Sequence, residues 1–186
     1  MDGLLVLDKP AGLTSRAALN HAQRWFPRGT KMGHTGTLDP LATGVLVVCL
    51  GRATKLADRV QAMGKGYRAT VRLGATSPTD DADGPVTAVP VTDPPARERV
   101  EAELARFVGT VMQVPPQVSA LKVDGRRAHE VVRRGQVAAV EARPVRIDAA
   151  RLIDYAWPLA EVEVDCGKGT YIRSIARDLG ANLGVG

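Results

Sequence analysis

The 186-residue sequence predicts an α+β fold, a central and largely antiparallel mixed sheet flanked by helices. Three observations lead there. Strand-period and helix-period segments follow one another without a regular βαβ rhythm, two successive strand patterns are separated only by a Trp157-Pro158 turn, and the length suits one domain with a substantial core.

The elements follow in order. Leu4 to Leu7 is a continuous apolar run ending at Asp8, the pattern of a buried strand. Thr14 or Ser15 caps a helix reaching about Phe26, with Leu19, Ala22 and Phe26 on its inner side and Pro27 closing it. Val45 to Leu50 is an interior strand, and Leu56, Val60 and Met63 form a helical stripe closed by Gly64. Tyr67 to Leu73 alternates, placing Tyr67, Ala69, Val71 and Leu73 on one side and Arg68, Thr70 and Arg72 on a wet, basic one. Ser77 to Pro95 has the composition of an exposed connection without a catalytic role. Its acids Asp80, Asp81 and Asp83 lack the spacing and closing Glu of a calcium loop, and they read as a solvated turn.

Val100, Leu104 and Phe107 mark a further amphipathic helix, and Pro115-Pro116 breaks the chain after it. Val118 to Val123 reads as a strand entering an Asp124-Gly125 turn, and Ala128 to Arg134 as a short helix ended by Gly135. Val145 to Asp154 and Leu159 to Cys166 are strands. A last helix begins near Thr170, with Ile172, Ile175 and Leu179 as its apolar stripe and Arg173 and Arg177 on an adjoining face.

Composition narrows the function. Cys49 and Cys166 are far apart and outside any C-x-x-C pair, so both read as reduced thiols, Cys49 in the core. No apolar stretch approaches the ~20 residues that span a bilayer, so a cytoplasmic, membrane-free protein is expected. The formal charge of +5 is unevenly spread: Met1 to Gly74 holds 11 basic residues against 4 acidic, Ala75 to Pro116 holds 3 against 7, and Gln117 to Gly186 holds 11 against 9. A basic first segment suits a phosphate backbone. Within it the run GHTGTLDPLATGVL, Gly33 to Leu46, gathers one carboxylate, Asp39, with His34, hydroxyls and three glycines that permit positive φ or close backbone approach. A loop braced by a buried strand is a common place for chemistry. His21, His34 and His129 have no metal spacing, there is no P-loop, and no Rossmann fingerprint is found, so no cofactor or metal is expected.

This run and three more segments in the same order, LLVLDKPAGLTS (Leu4 to Ser15), KGYRATVRLG (Lys65 to Gly74) and KGTYIRSIARDLG (Lys168 to Gly180), resemble the motifs of the TruB family of pseudouridine synthases, which modify the T-loop of tRNA. The resemblance implies a pseudouridine-synthase-like catalytic domain over residues 1–186, C-terminally incomplete and without the family's C-terminal RNA-binding domain. It implies isomerisation of tRNA uridine-55 by a monomer that needs no protein partner and binds the T-arm. Asp39 would be the essential carboxylate, as nucleophile or as base, with Arg173 as the cation that keeps it ionised. Tyr67 would stack on the target base, Tyr171 would contact the target nucleotide, and His34 would help displace that nucleotide from the T-loop. Lys9 and Pro10 would shape the wall of the site. The family usually has Tyr where this chain has Val118 and His129. Two other readings are a guide-RNA-dependent synthase and a tRNA-binding chaperone without turnover.

Overall fold

The computed structural model describes residues 1–119, 121–123, 125–133 and 135–186, with the backbone alone at 122, 123, 126, 127, 129, 130 and 133. Asp124 of the expected turn and Arg134 of the expected short helix lie outside the described residues. The chain divides into two compact units, Met1–Met63 and Gly64–Gly186.

The first unit is a three-stranded antiparallel sheet with one helix on it. β1 (Gly3–Lys9) leads to α1 (Ser15–Ala22), a 3₁₀ turn (Gln23–Trp25), β2 (Met32–His34) and β3 (Gly44–Leu50). β3 lies between β1 and β2, with Gly3 opposite Leu50 and Lys9 opposite Gly44. Leu19 of α1 packs on Val48 and Leu50, joined by Leu5, Leu7, Phe26 and Met32. Thr14 is the helix cap, its side chain accepting from Ala17 N at 3.1 Å, which leaves Ser15 for another task. A 3₁₀ segment (Gly51–Leu56) and α2 (Ala57–Gln61) complete the unit.

The second unit is built on the sheet β4-β11-β10-β7, formed by β4 (Lys65–Arg72), β7 (Gly109–Gln113), β10 (Arg143–Ala156) and β11 (Leu159–Cys166). Its strand pairs are all antiparallel. α3 (Arg97–Ala105) and α5 (Ile172–Leu183) cover one face: Val100 and Leu104 meet Leu179, Leu183, Val71, Leu73 and Val162 in one cluster, and Ile175 meets Ile147, Val164 and Cys166 in another. Small pairs β5–β6 (Ala75–Thr76, Thr87–Ala88) and β8–β9 (Lys122–Val123, Arg126–Arg127) decorate the connections, and α4 (Ala128–Arg133) follows β9.

The alternation in β4 is as the sequence indicates, with Arg68, Thr70 and Arg72 exposed. That face is not simply basic, because β11 sets acids beside it and Arg68 pairs with Glu161 at 3.2 Å. Of the expected strand Val118 to Val123, Lys122–Val123 pairs as β8, Val118 and Ser119 do not, and Ala120 lies outside the described residues. β2 and β7 carried no legible pattern: β2 is only Met-Gly-His, and β7, Gly-Thr-Val-Met-Gln, gives too few apolar residues for a period of two. Cys49 and Cys166 are buried, free thiols, and burial pushes both pKa values up.

Candidate active site

In the first unit, residues 35–43 join β2 to β3 and carry Asp39, which is half-buried. The loop is fixed at each end and in the middle. Thr35 is buried, and both its N–H and its hydroxyl donate to Val47 O, at 2.9 and 3.1 Å. His34 Nδ1 lies 2.6 Å from Gly36 O; a carbonyl only accepts, so Nδ1 carries the proton and Nε2 is left for a ligand. Gly44, at φ +113, lets the chain re-enter β3 opposite Lys9. Gly33 and Gly36 need no such freedom: neither has a positive φ, and added Cβ atoms would meet nothing within 4 Å.

Both neighbours of Asp39 are tied to the segment between β1 and α1. Leu38 N donates to Ser15 Oγ at 2.9 Å, and that hydroxyl lies 3.2 Å from Leu38 O. Pro40 O accepts from Gly12 N at 2.8 Å and from Lys9 Nζ at 3.3 Å. Lys9 is 0% exposed, and its ammonium also donates to Pro10 O at 2.9 Å and Leu13 O at 2.7 Å. Three N–H donors thus meet three carbonyls, which is how a lysine can be tolerated inside. Burial lowers the Lys9 pKa, and the Asp39 carboxylate opposes that shift, so the two charges sense one another. Lys9, between exposed Asp8 and Pro10 of the DKP motif, is therefore a buried brace for the Asp39 loop.

In the second unit, Tyr67 sits on β4 opposite Val164, half-buried against the Ile147, Val164, Cys166 and Ile175 cluster. Tyr171 precedes α5. The side-chain amide of Gln113, 2% exposed, accepts from Tyr171 N at 2.8 Å and donates to Tyr171 O at 3.1 Å. Arg143, the register partner of Gln113, donates to Gly169 O at 2.9 Å and lies 5.2 Å from the centre of the Tyr171 ring. Neighbouring β7 and β10 thus grip the backbone and ring of one loop. Sequence reasoning passed over Gln113 and Arg143, since a lone Gln or Arg in a strand is no motif.

Arg173 is 11% exposed, with Nη1 3.1 Å from Asp81 Oδ2 and 2.8 Å from Thr79 O, and Nη2 3.1 Å from Val118 O. Arg177 pairs with Asp80 at 2.9 Å and Asp178 at 2.8 Å, and donates to Val114 O at 2.9 Å. The acidic turn is consequently not solvated as expected. Asp80 and Asp81 are only 14% and 10% exposed, while Asp83 alone stays in water. Consecutive side chains ordinarily diverge, but Asp80 takes φ +55, a conformation Asp tolerates, and both carboxylates reach arginines one helical turn apart. Thr79 Oγ1 at 2.6 Å and Asp83 N at 3.1 Å satisfy the other Asp81 oxygen.

Among the described residues no cluster of His, Cys, Asp and Glu could hold a metal ion, and no helix is long and apolar enough to cross a membrane. The family model described as TruB family pseudouridylate synthase, N-terminal domain, matches residues 24–172. This chain belongs to the TruB family. A TruB relative, tRNA pseudouridine synthase B of Mycobacterium ulcerans (strain Agy99), is 48% identical over 189 residues, covering 99% of this chain and 62% of its own. The enzyme of the same name from Ectopseudomonas mendocina (strain ymp) is 47% identical over 187 residues, covering 100% and 60%. The chain thus spans about three fifths of the length of these TruB relatives. In a solved Cbf5-Nop10-Gar1 complex, one chain superposes with a TM-score of 0.71 at 28% identity, covering 99% of this chain and 45% of that one. The α+β fold is that of the pseudouridine synthases.

Proposed function

We propose that this TruB chain carries the catalytic domain, residues 1–186, of an enzyme that isomerises uridine to pseudouridine at tRNA position 55, in the T-arm. The carrying observation is Asp39 in a loop whose flanking residues are braced by Lys9, Gly12 and Ser15, in a chain 48% identical to a tRNA pseudouridine synthase B. The N1–C1′ bond breaks, the uracil turns, and C5 bonds to C1′; N1 gains a proton and C5 loses one. Atoms and electrons balance within the nucleotide.

Asp39 acts as its carboxylate, on sugar or base as nucleophile or on a sugar proton as base. Lys9 supports the anion from behind without reaching solvent. Arg173, held in place by Asp81, supplies a positive group that binds the substrate, and Tyr67 supplies a face on which a detached uracil can turn. Tyr171, fixed by Gln113, contacts the target nucleotide. His34 takes over stacking as the nucleotide leaves the T-loop, its ring oriented by Gly36 O. The enzyme acts as a cytoplasmic monomer, without protein partner, guide or added cofactor. The lower identity to the Cbf5 complexes, 28% against 48%, favours this over a guide-dependent reading.

Tritium release from C5-labelled uridine in an unmodified T-arm tests the proposal. Release by this chain that disappears in Asp39→Asn, with RNA binding retained, is expected. Turnover surviving in Asp39→Asn overturns the assignment of Asp39, and binding without release by the unchanged chain supports the chaperone reading instead.

A further inference from the structure

The two units treat their cations differently. In the second, Arg68, Arg97, Arg106, Arg146, Arg151, Arg173 and Arg177 each lie within 3.2 Å of a carboxylate. In the first, which holds 8 basic residues and 4 acidic ones, exposed Lys31, Arg52 and Lys55 have no carboxylate within ion-pairing distance among the described residues. These three line one open groove of about 380 Å³ together with Asp2, Gly29, Thr30, Gly51 and Thr54.

Hydrogen bonds build the groove's walls. On one side, Thr30 N and Oγ1 both donate to Pro27 O, at 3.2 and 2.8 Å, closing the turn that follows the 3₁₀ residues Gln23–Trp25. Gly51 N donates to Lys31 O at 2.8 Å, and Thr54 Oγ1 donates to Gly51 O at 2.8 Å. Asp2 Oδ1 accepts from Arg52 N at 2.7 Å, which commits the groove's one carboxylate to the backbone. Gly51 is obligatory at φ +55, because a Cβ there would collide with Asp2 and the Met1 carbonyl. A fixed frame thus presents three uncommitted cationic groups, and rigidity lowers the ordering cost of binding an anion.

We propose that this groove binds the phosphodiester backbone of an RNA stem, an inference that rests on the RNA-modifying function above. The volume admits a phosphate with an adjoining sugar, and the two basic side-chain types match its charge. Placement argues for the stem over the reacting nucleotide. The groove lies where β1 and β2 begin and β3 ends, whereas Asp39 lies beyond the opposite end of β2 and β3. The seven residues of β3 separate the two ends by about 20 Å at ~3.4 Å per residue. That is on the order of six base steps along a duplex.

The test is the salt dependence of binding between this chain and a labelled T-arm hairpin, read by fluorescence anisotropy. The combined variant Lys31→Gln, Arg52→Gln, Lys55→Gln should lower the slope of log K against log salt by about 2 to 3 and weaken binding at least about tenfold near 150 mM salt. A matched variant, Arg97→Gln, Arg106→Gln, Arg146→Gln, removes the same charge from paired positions and should change the slope by less than about 1. Single variants Arg52→Gln and Lys55→Gln, each losing about 0.7 to 0.9 in slope, carry the test if the triple variant folds poorly. An unrelated hairpin of equal length should show the same loss, since backbone contacts carry no sequence information. Equal effects of the two triple variants, or a loss confined to the T-arm, would overturn the groove assignment. Failure of the unchanged chain to bind any RNA overturns the function it rests on, and the groove with it.

Discussion

Lys9 carries a charge into a place with no water, and its three carbonyl partners are what make that possible. Lys9→Met keeps the length and apolar stem while leaving Pro10 O and Leu13 O without this donor. Such a loss should destabilise the first unit by about 3 kcal/mol in urea unfolding and slow turnover at least about tenfold by loosening the Asp39 loop. Asp80 makes the opposite electrostatic argument. Burial raises its pKa above the ordinary 3.8, and Arg177 works against that rise. A carboxyl whose pKa is higher folded than unfolded binds its proton more readily in the folded chain, so folding is favoured in acid and loses stability as pH climbs from about 4 through the folded value. Against Asp80→Asn, the unchanged chain should therefore lose urea resistance over that interval. A flat difference between the two would show that Arg177 cancels the burial cost.

At the scale of elements, β7 matters more than its five residues promised. Its last residue, Gln113, satisfies both backbone groups of Tyr171 at the start of α5, and Ser174 Oγ reaches the next carbonyl, Val114 O, at 2.8 Å. Gln113→Leu should cost about 1 to 3 kcal/mol, because it leaves the Tyr171 N–H without its acceptor and creates no cavity, while Tyr171 O keeps Ile175 N at 3.3 Å. It should also raise KM for RNA more than Arg97→Gln does, since Tyr171 loses its support; equal KM values would reduce Gln113 to a packing role. α1, α3 and α5 were legible because 3.6-residue periodicity records which face is buried, as Leu19, Leu104 and Ile175 show. The stripe read at Leu56, Val60 and Met63, by contrast, is not a buried face, Leu56 and Met63 being exposed. β2 and β7 were not legible, because neighbouring strands supply their pairing and their own side chains alternate too briefly.

Over the whole molecule, charge separates into a basic first unit and a nearly balanced second one, with 17 basic and 16 acidic residues in the second. Under the proposed function, RNA affinity would be spread over such a surface, so Asp39→Asn is expected to end turnover while sparing binding: one carboxylate contributes little to a polyelectrolyte contact. The sequence by itself determined the α+β class, the family, most helices and strands, and the Asp39 loop, since these rest on short-range periodicity and motif order. Tertiary structure decided what the motifs do for one another. Lys9 and Pro40 are 31 positions apart, Arg173 and Thr79 94, Gln113 and Tyr171 58. A local pattern cannot report that a buried ammonium finds its carbonyls, or that an acidic turn leaves water to meet two arginines, because the desolvation that makes each pairing necessary exists only after the chain has folded.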